Sequence, residues 1–277
     1  MTILVTGATG RLGSRFVPRL VRDDAPVRVL VRDLGRAEPL RKLGVEVALG
    51  DLRDADAVSR ALEGIVAVVH LGAAFRGVSE EEGAAITDTA TVALGRTAAA
   101  AGVRRFIFSS TNLVYGGGRG RPAVEDDEPA PAMAYPRNKV HAEDALHRID
   151  NLGVRILRFA FVYGEGDPHL AESLLWARDW PLHKRLHMVH HADVGQALLL
   201  ALHAEGVDGR TFNVGDDAPV AAFELLRLNR ETVAADAAVR PLEDPWEGIV
   251  DTTRIRRELG FRPVYPSVFS AEAAGAL

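Results

Sequence analysis

Short apolar, β-branched runs recur through the first 160 or so residues and alternate with stretches whose apolar positions fall at helical spacing. Ile3-Leu4-Val5 is the first run, and Phe16, Val17, Leu20 and Val21 behind it share one helix face. Val27 to Val31, Val45 to Leu49, Ile65 to His70, Arg105 to Ser109 and Val154 to Phe159 read as the second to sixth strands. Thr87 to Ala101 and Tyr135 to Asn151 read as helices. Pro136 is tolerable in the first turn of the latter, where an N–H would have no helical partner. Strands apolar on both faces and separated by helices predict an α/β fold, a Rossmann-type doubly wound parallel sheet with helices on both sides. In such sheets ligands bind beyond the carboxyl ends of the strands. Gly7, Arg32, Asp51, Gly72 and Thr111 all fall there. After Tyr163 the alternation loosens, and Pro168, Pro181, Pro219, Pro241, Pro245, Pro263 and Pro266 interrupt it. The pattern predicts a larger domain over residues 1–161 and a smaller lobe over 162–277, interleaved with the first.

Between the first strand and first helix lies Thr6-Gly7-Ala8-Thr9-Gly10-Arg11-Leu12-Gly13. Gly7 allows a sharp turn off the strand, Gly10 a close approach of the main chain to a pyrophosphate, and Gly13 tight packing of helix on strand. A plain strand–helix turn needs one glycine rather than three. The helix N-terminus beyond offers unpaired N–H groups and a positive dipole end to the phosphates. The larger domain is therefore expected to bind a dinucleotide and the smaller lobe a substrate.

The residue at the end of the second strand reads the adenosine ribose. An acidic side chain there suits a 2′-hydroxyl, an arginine a 2′-phosphate. Arg32 holds that place, with Arg11 and Arg36 as possible additions, and a guanidinium fork suits phosphate. NADP(H) is favoured over NAD(H), though a shift of one residue would put Asp33 in the reading position. Asp51 and Leu52 are expected to frame the adenine, with helix N-capping the ordinary alternative for Asp51.

Composition narrows the classes. The chain has 277 residues, 47% hydrophobic and 26% charged, enough for a substantial core. A net charge of −5 gives no reason to expect nucleic acid or an anionic membrane surface. With no cysteine there is no disulfide, thiol catalysis or zinc–thiolate site. No signal segment and no bilayer-length apolar stretch is visible, so a cytoplasmic protein is expected.

Ser109-Ser110-Thr111 closes the fifth strand, and Tyr135 and Lys139 stand one helical turn apart on a common face. An ordinary surface pair is the plain alternative. A phenol titrates near pH ~10, and a neighbouring ammonium favours its phenolate. Tyr135 is expected to exchange a proton with a substrate oxygen, Thr111 to hydrogen-bond that oxygen, and Lys139 also to hold the nicotinamide ribose.

These pieces together resemble the extended short-chain dehydrogenase/reductase family, also called the NAD-dependent epimerase/dehydratase family. The resemblance runs from the glycine turn through Gly50-Asp51-Leu52, His70-Leu71-Gly72-Ala73-Ala74 and Phe106-Ile107-Phe108-Ser109-Ser110-Thr111 with Val114-Tyr115-Gly116. It continues through Tyr135-x-x-x-Lys139, Leu157-Arg158-Phe159, Val162-Tyr163-Gly164, Val189-His190 with Asp193-Val194, Phe212-Asn213-Val214-Gly215 and Glu258-Leu259-Gly260-Phe261-Arg262-Pro263. It implies catalytic Thr111, Tyr135 and Lys139. It implies a cofactor site of Gly7, Thr9, Gly10, Arg11, Leu12, Gly13, Arg32, Asp51, Leu52, Leu71, Gly72, Ala73, Tyr135, Lys139 and Phe159. It also implies a homodimer through the Thr87–Ala101 and Tyr135–Asn151 helices.

Departures narrow the chemistry. Asn112 and Leu113 stand where dehydratase relatives carry Asp-Glu, and Leu113 cannot move a proton. Phe161 and Thr87 replace asparagines, and the Tyr163–His190 segment is short for gripping a nucleotide. These features point to a smaller or more apolar substrate. The leading reading is an NAD(P)-dependent oxidoreductase moving a hydride to or from a secondary alcohol or ketone of a sugar-like or other small carbonyl compound. The alternatives are a nucleotide-sugar epimerase with tightly held NAD, and a non-enzymatic dinucleotide sensor.

Remaining features have ordinary explanations. His183, His187, His190 and His191 include an i, i+4 pair, but no nearby glutamate completes a zinc motif, so packing or pocket roles are expected. Glu125-Asp126-Asp127-Glu128 reads as a solvated loop. Phe75, Arg76, Trp176 and Trp180 are candidate pocket walls, with core packing the alternative. Gly116-Gly117-Gly118 reads either as a mobile stretch beside the site or as a plain turn.

Overall fold

The computed structural model describes residues 2–74 and 77–277. Phe75 and Arg76 lie outside the described residues. Seven parallel strands form the central sheet: β1 (Thr2–Thr6), β2 (Val27–Val31), β3 (Glu46–Leu49), β4 (Ile65–His70), β5 (Arg105–Thr111), β6 (Gly153–Phe159) and, out of turn, β10 (Thr211–Val214), in the order β10-β6-β5-β4-β1-β2-β3. The order reverses at β1, whose neighbours are β2 on one side and β4 on the other. That switch point opens the crevice in which doubly wound sheets bind ligands.

Alternate residues of each strand feed two cores. Ile3, Val5, Val29, Val31, Ile107 and Phe159 face one side, where Phe16, Val17 and Leu20 of α1 (Gly13–Arg22) and Val194 and Leu198 of α8 (His191–His203) pack. Leu4, Leu30, Val68, Phe106 and Phe108 face the other, against Val58 and Leu62 of α3 (Ala55–Leu62), Leu94 of α5 (Ala90–Ala100) and Leu146 of α6 (Ala134–His147). Burial on both faces is why the strands read as unbroken apolar runs, and each such side chain contributes about 1.5–3 kcal/mol of transfer free energy.

Helix starts follow local capping chemistry. Asp33 accepts from the Gly35 and Arg36 amides to begin α2 (Leu34–Arg41), and Asp54, not Asp51, accepts from Asp56 and Ala57 to begin α3. The helix expected at Thr87 starts earlier. After α4 (Glu80–Ala84) a wide π turn, Ala85–Thr89, leads into α5. Thr87 Oγ1 bridges back there, accepting from the Ala74 amide and donating to the Ala74 carbonyl.

The chain beyond Tyr163 is divided. Helix α8 and strand β10 return to the main sheet, so that sheet draws on the C-terminal part as well. The rest builds a smaller core from Tyr163, Leu170, Leu174, Met188, Leu225 and Val268. It contains β7 (Phe161–Tyr163) paired with β9 (Met188–His190), β8 (Arg185–Leu186) paired with β11 (Val220–Ala221), α7 (His169–Ala177), α9 (Ala222–Leu228) and α11 (Val268–Ala273). Helix α10 (Thr253–Leu259) packs its Ile255 and Leu259 on the main core. Among the described residues no helix is long and apolar enough to cross a membrane.

Candidate active site

Gly7 turns the chain off β1 at φ +70°, and a Cβ there would lie 2.6 Å from the Leu71 carbonyl carbon and the Gly72 amide nitrogen. At Gly13 a Cβ would lie 2.3 Å from the Gly7 carbonyl oxygen. Only glycine lets β1, α1 and the end of β4 close this tightly. Gly10, by contrast, is exposed and has only the Gly7 carbonyl near its Cβ direction, at 3.2 Å. No side chain caps α1 and no acidic residue stands in its first turn. A helix end without its own acceptor, behind a glycine turn with an open face, fits a pyrophosphate.

Thr9 and Leu12 flank this turn half-buried, and Leu71, Gly72 and Ala73 follow β4, with Leu71 and Gly72 against Gly7. Leu52 Cδ1 closes on Gly72. Beneath them, Thr6 and His70 are in register on β1 and β4, and Thr6 Oγ1 meets His70 Nδ1 at 2.5 Å. His70 Nε2 meets Thr91 Oγ1 at 2.8 Å, and the ring stacks on Phe108. Burial, with the Lys139 charge adding, pushes the His70 pKa down to about 3, so the ring is neutral near pH 7.

At the end of β2 the two candidate readers of the ribose have separate roles. Asp33 is consumed as the α2 cap, while the Arg32 side chain is 66% exposed and stands 3.8 Å from Asp51. Asp51 is held by Arg53 through two bonds of 2.9 Å, which brings its pKa down to about 2. Arg36 reaches the Thr9 carbonyl at 3.0 Å. Arg11 departs from expectation. Its guanidinium turns away from Arg32 and forks onto Glu172 of α7 at 2.6 and 2.9 Å, with Asp167 at 3.4 Å. The carboxylates of the lobe outcompete the ribose side for this charge. Arg15 and Arg19 fasten the same segment at Glu165.

Across the crevice, Thr111 is the last residue of β5 and its Oγ1 accepts from the Leu113 amide, opening a 3₁₀ turn over Asn112–Tyr115. Tyr135 is the second residue of α6, and Lys139 follows one turn later. Lys139 is 1% exposed. Its Nζ donates to the Ser109 carbonyl at 2.6 Å and lies over the rings of Phe108 and Tyr135, 4.4 and 5.8 Å from their centroids. The three predicted catalytic residues thus converge on one strand end and one helix start. Phe159 pairs in register with Thr111 on the neighbouring strand.

The electrostatics depart from the expected lowering of the phenol. Burial pushes the Tyr135 phenol well above its ordinary range. Burial also pulls the Lys139 ammonium down to about 7, against the opposing field of Glu143. Both groups are driven toward their neutral forms.

A buried polar network behind this pair was not legible in the sequence. Glu143, one turn beyond Lys139, pairs with Arg158 of β6 at 2.5 Å, both almost fully buried. Arg158 donates to Tyr115 Oη at 2.9 Å, and Tyr115 donates to Asn213 Oδ1 at 2.7 Å. The Asn213 amide in turn donates to Glu125 at 2.8 Å. The one available signal was Arg158 itself, a charge inside an apolar strand that demands a buried partner.

Several expectations are corrected here. The acidic run is a solvated loop only in part. Glu125 is buried against Asn213, while Asp126, paired with Arg254 at 2.5 Å, and Glu128 stay exposed, and Asp127 takes the nearby Arg121 at 2.6 Å. The distant Asn213 accounts for the burial of Glu125. His187 and His191 do not share a helix, since His187 lies ahead of β9. His187 Nδ1 accepts from the Val250 amide, His190 caps α8, and His191 meets Asp167 at 2.8 Å. Asp244 fastens the Gly116–Gly118 stretch through the Gly118 amide at 2.5 Å. Trp176 and Trp180 stand in the small lobe, half-buried.

Comparison with known proteins places the chain in a family. The model of the NAD dependent epimerase/dehydratase family matches residues 3–215. UDP-glucose 4-epimerase of Mycolicibacterium smegmatis is 32% identical over 95% of this chain and 94% of its own. A 4-hydroxy-2-methyl-3-oxo-4-farnesyl-3,4-dihydroquinoline-1-oxide ketoreductase of Stigmatella aurantiaca is 28% identical over 92% and 83%. Among solved structures, MoeE5 in complex with UDP-glucuronic acid and NAD superposes with a TM-score of 0.80 at 25% identity, covering 99% of this chain and 97% of its own.

Proposed function

The chain belongs to the NAD dependent epimerase/dehydratase family, and we propose that it acts as an oxidoreductase that exchanges NADP(H) and interconverts a ketone and a secondary alcohol. The observation that carries this reading is the placement of Tyr135 and Lys139 one turn apart, with Lys139 pinned to the Ser109 carbonyl two residues ahead of Thr111. When bound, the nicotinamide supplies or accepts the hydride at the substrate carbon. The chain supplies the rest. Thr111 Oγ1 orients the substrate oxygen. Tyr135 gives that oxygen its proton in reduction and takes it back in oxidation. Lys139, titrating near neutrality, stabilises the phenolate that proton donation leaves behind.

Arg32 supports the preference for NADP(H). It is the strand-end residue, it is exposed, and Asp33 is occupied as a helix cap. Arg32 and Arg36 together offer a 2′-phosphate two guanidinium groups. A homodimer through α5 and α6 belongs to the same reading. The second reading, an epimerase holding NAD, is supported by the likeness to MoeE5 and to UDP-glucose 4-epimerase. The test is to extract and identify any nucleotide that co-purifies, then titrate the stripped protein with NADPH and NADH. Exchangeable binding tighter for NADPH supports the oxidoreductase. Tightly retained NAD supports the epimerase.

A further inference from the structure

Phe161 opens β7 two residues beyond Phe159, the residue in register with Thr111. It therefore stands at the crevice end of the sheet, next to the strand that carries the reacting groups. From Phe161 a run of ring contacts continues into the small lobe. His169 stacks on it with centroids 4.0 Å apart, Trp176 meets it edge-on at 5.9 Å, and Trp180 lies 4.7 Å from Trp176. Phe161, Trp176 and Trp180 lean on the lobe core around Tyr163 and Leu174, yet all three are only partly buried. The rings cover one another in part and Lys184 lies over Trp180, and what remains of their surface is reachable.

The cations of the same region are committed. Lys184 pairs with Glu247 at 2.6 Å and lies over Trp180. Arg185 donates to the Pro245 carbonyl at 3.0 Å and stacks on Trp246. Arg178 pairs with Glu231 at 2.8 Å, Arg240 with Asp236 at 2.9 Å, and Arg11 with Glu172. A diphosphate would compete with these carboxylates for a counter-charge, at about 0–1 kcal/mol for each exposed pair, whereas an uncharged ring system draws on the aromatic surface alone.

We infer that the wall formed by Phe161, His169, Trp176 and Trp180 selects the substrate, and that the substrate is an uncharged ketone or alcohol built on a flat or fused-ring body rather than a nucleotide diphosphate sugar. The inference rests on the reading of Thr111, Tyr135 and Lys139 as a hydride-transfer site. It places the ring body against Phe161, with its carbonyl directed at the Thr111 end of β5. The large aromatic surface does the recognition, and the proton and hydride steps remain those already described.

The chain has three tryptophans, and all three, Trp176, Trp180 and Trp246, belong to this region, so intrinsic fluorescence reads it directly. The experiment titrates the protein, loaded with whichever of NAD⁺ or NADP⁺ it binds, with 2-tetralone and separately with UDP-glucose. Saturable quenching by 2-tetralone is expected, about tenfold tighter or more than any response to UDP-glucose. Phe161→Asn is expected to weaken 2-tetralone by about tenfold, and Trp176→Leu, a second variant with an unfolding midpoint near that of the parent, to weaken it as well. UDP-glucose binding more tightly than 2-tetralone overturns the inference, as does an unchanged 2-tetralone affinity in both folded variants. Binding of 2-tetralone without turnover with either cofactor keeps the wall and removes the oxidoreductase reading. Turnover of acyclic 2-butanone with no affinity for 2-tetralone does the reverse.

Discussion

Lys139 Nζ donates to the Ser109 carbonyl at 2.6 Å, and this one bond ties the second turn of α6 to the end of β5. In the proposed mechanism Lys139 then has two duties, one positional and one electrostatic, where Tyr135 has a single chemical one. The two residues should therefore fail differently. Tyr135→Phe is expected to lower turnover by about 10²–10⁴-fold with cofactor affinity close to the parent's. Lys139→Ala is expected to lower turnover and weaken cofactor binding together. Steady-state kinetics with a direct cofactor-binding titration separates them, and equal behaviour of the two variants would count against the division of roles.

The proposed preference for NADP(H) rests on Arg32, because Asp33 is already spent on the α2 cap. Arg32→Ala is expected to weaken NADPH about tenfold, a modest figure because the guanidinium is exposed, and to leave NADH unchanged. Equal NADPH affinity before and after would remove Arg32 from the ribose site. Asp33→Ala should instead destabilise the fold by about 1 kcal/mol through the lost cap.

The Glu143–Arg158 pair behind Lys139 is buried on both sides. Glu143→Gln leaves the Arg158 guanidinium without its counter-charge and is expected to cost about 3–5 kcal/mol in urea unfolding. A loss below about 1 kcal/mol would mean that Tyr115 and the Glu125 carbonyl, the other acceptors of Arg158, satisfy it alone.

Stability should fall below pH 6–7 and stay nearly level from there to pH 8, where two buried groups oppose each other. His70 titrates near about 3 and His187 and His191 near about 4 in the fold, all lowered chiefly by burial. Below pH ~6.5 the unfolded chain protonates these rings while the folded one does not, so stability drops as pH falls toward 4. Asp216 is raised by burial to about 8, so the folded chain holds a proton there that the unfolded chain has released. Its contribution is fully present below the ordinary carboxylate range and is lost as pH rises toward 8, while Lys139, lowered by burial to about 7, takes up a proton on unfolding above that pH and offsets the loss. Near pH 5 three histidines oppose one aspartate, a net uptake of about two protons on unfolding, each worth ~1.4 kcal/mol per pH unit. Urea midpoints at pH 5, 6.5 and 8 check this, and a midpoint at pH 5 equal to or above that at pH 6.5 would contradict it.

What could be read from the chain alone was local. The glycine turn, the apolar strands and the Tyr135–Lys139 spacing each lie within a few residues, where backbone sterics and helical periodicity act directly. What could not be read depends on distant partners. Glu125 of the acidic run looked solvated because Asn213 lies 88 positions away. Strand β10 looked like part of the lobe because its pairing with β6 spans two helices, α7 and α8, and the strands β7, β8 and β9. The turn of Arg11 toward Glu172 needed knowledge of where α7 would land.

The central claim is net hydride transfer with Tyr135 as the proton donor, and the most direct measurement follows a label. The protein is incubated with NADPH deuterated at the transferable position and a ketone, and the alcohol is analysed by mass spectrometry. One deuterium in each product molecule, formed by the parent protein and nearly abolished in Tyr135→Phe, is the predicted result. No labelled alcohol and no consumption of NADPH, with inversion of UDP-glucose at C4 and no net cofactor change in a parallel incubation with NAD⁺, would contradict the account and favour the epimerase.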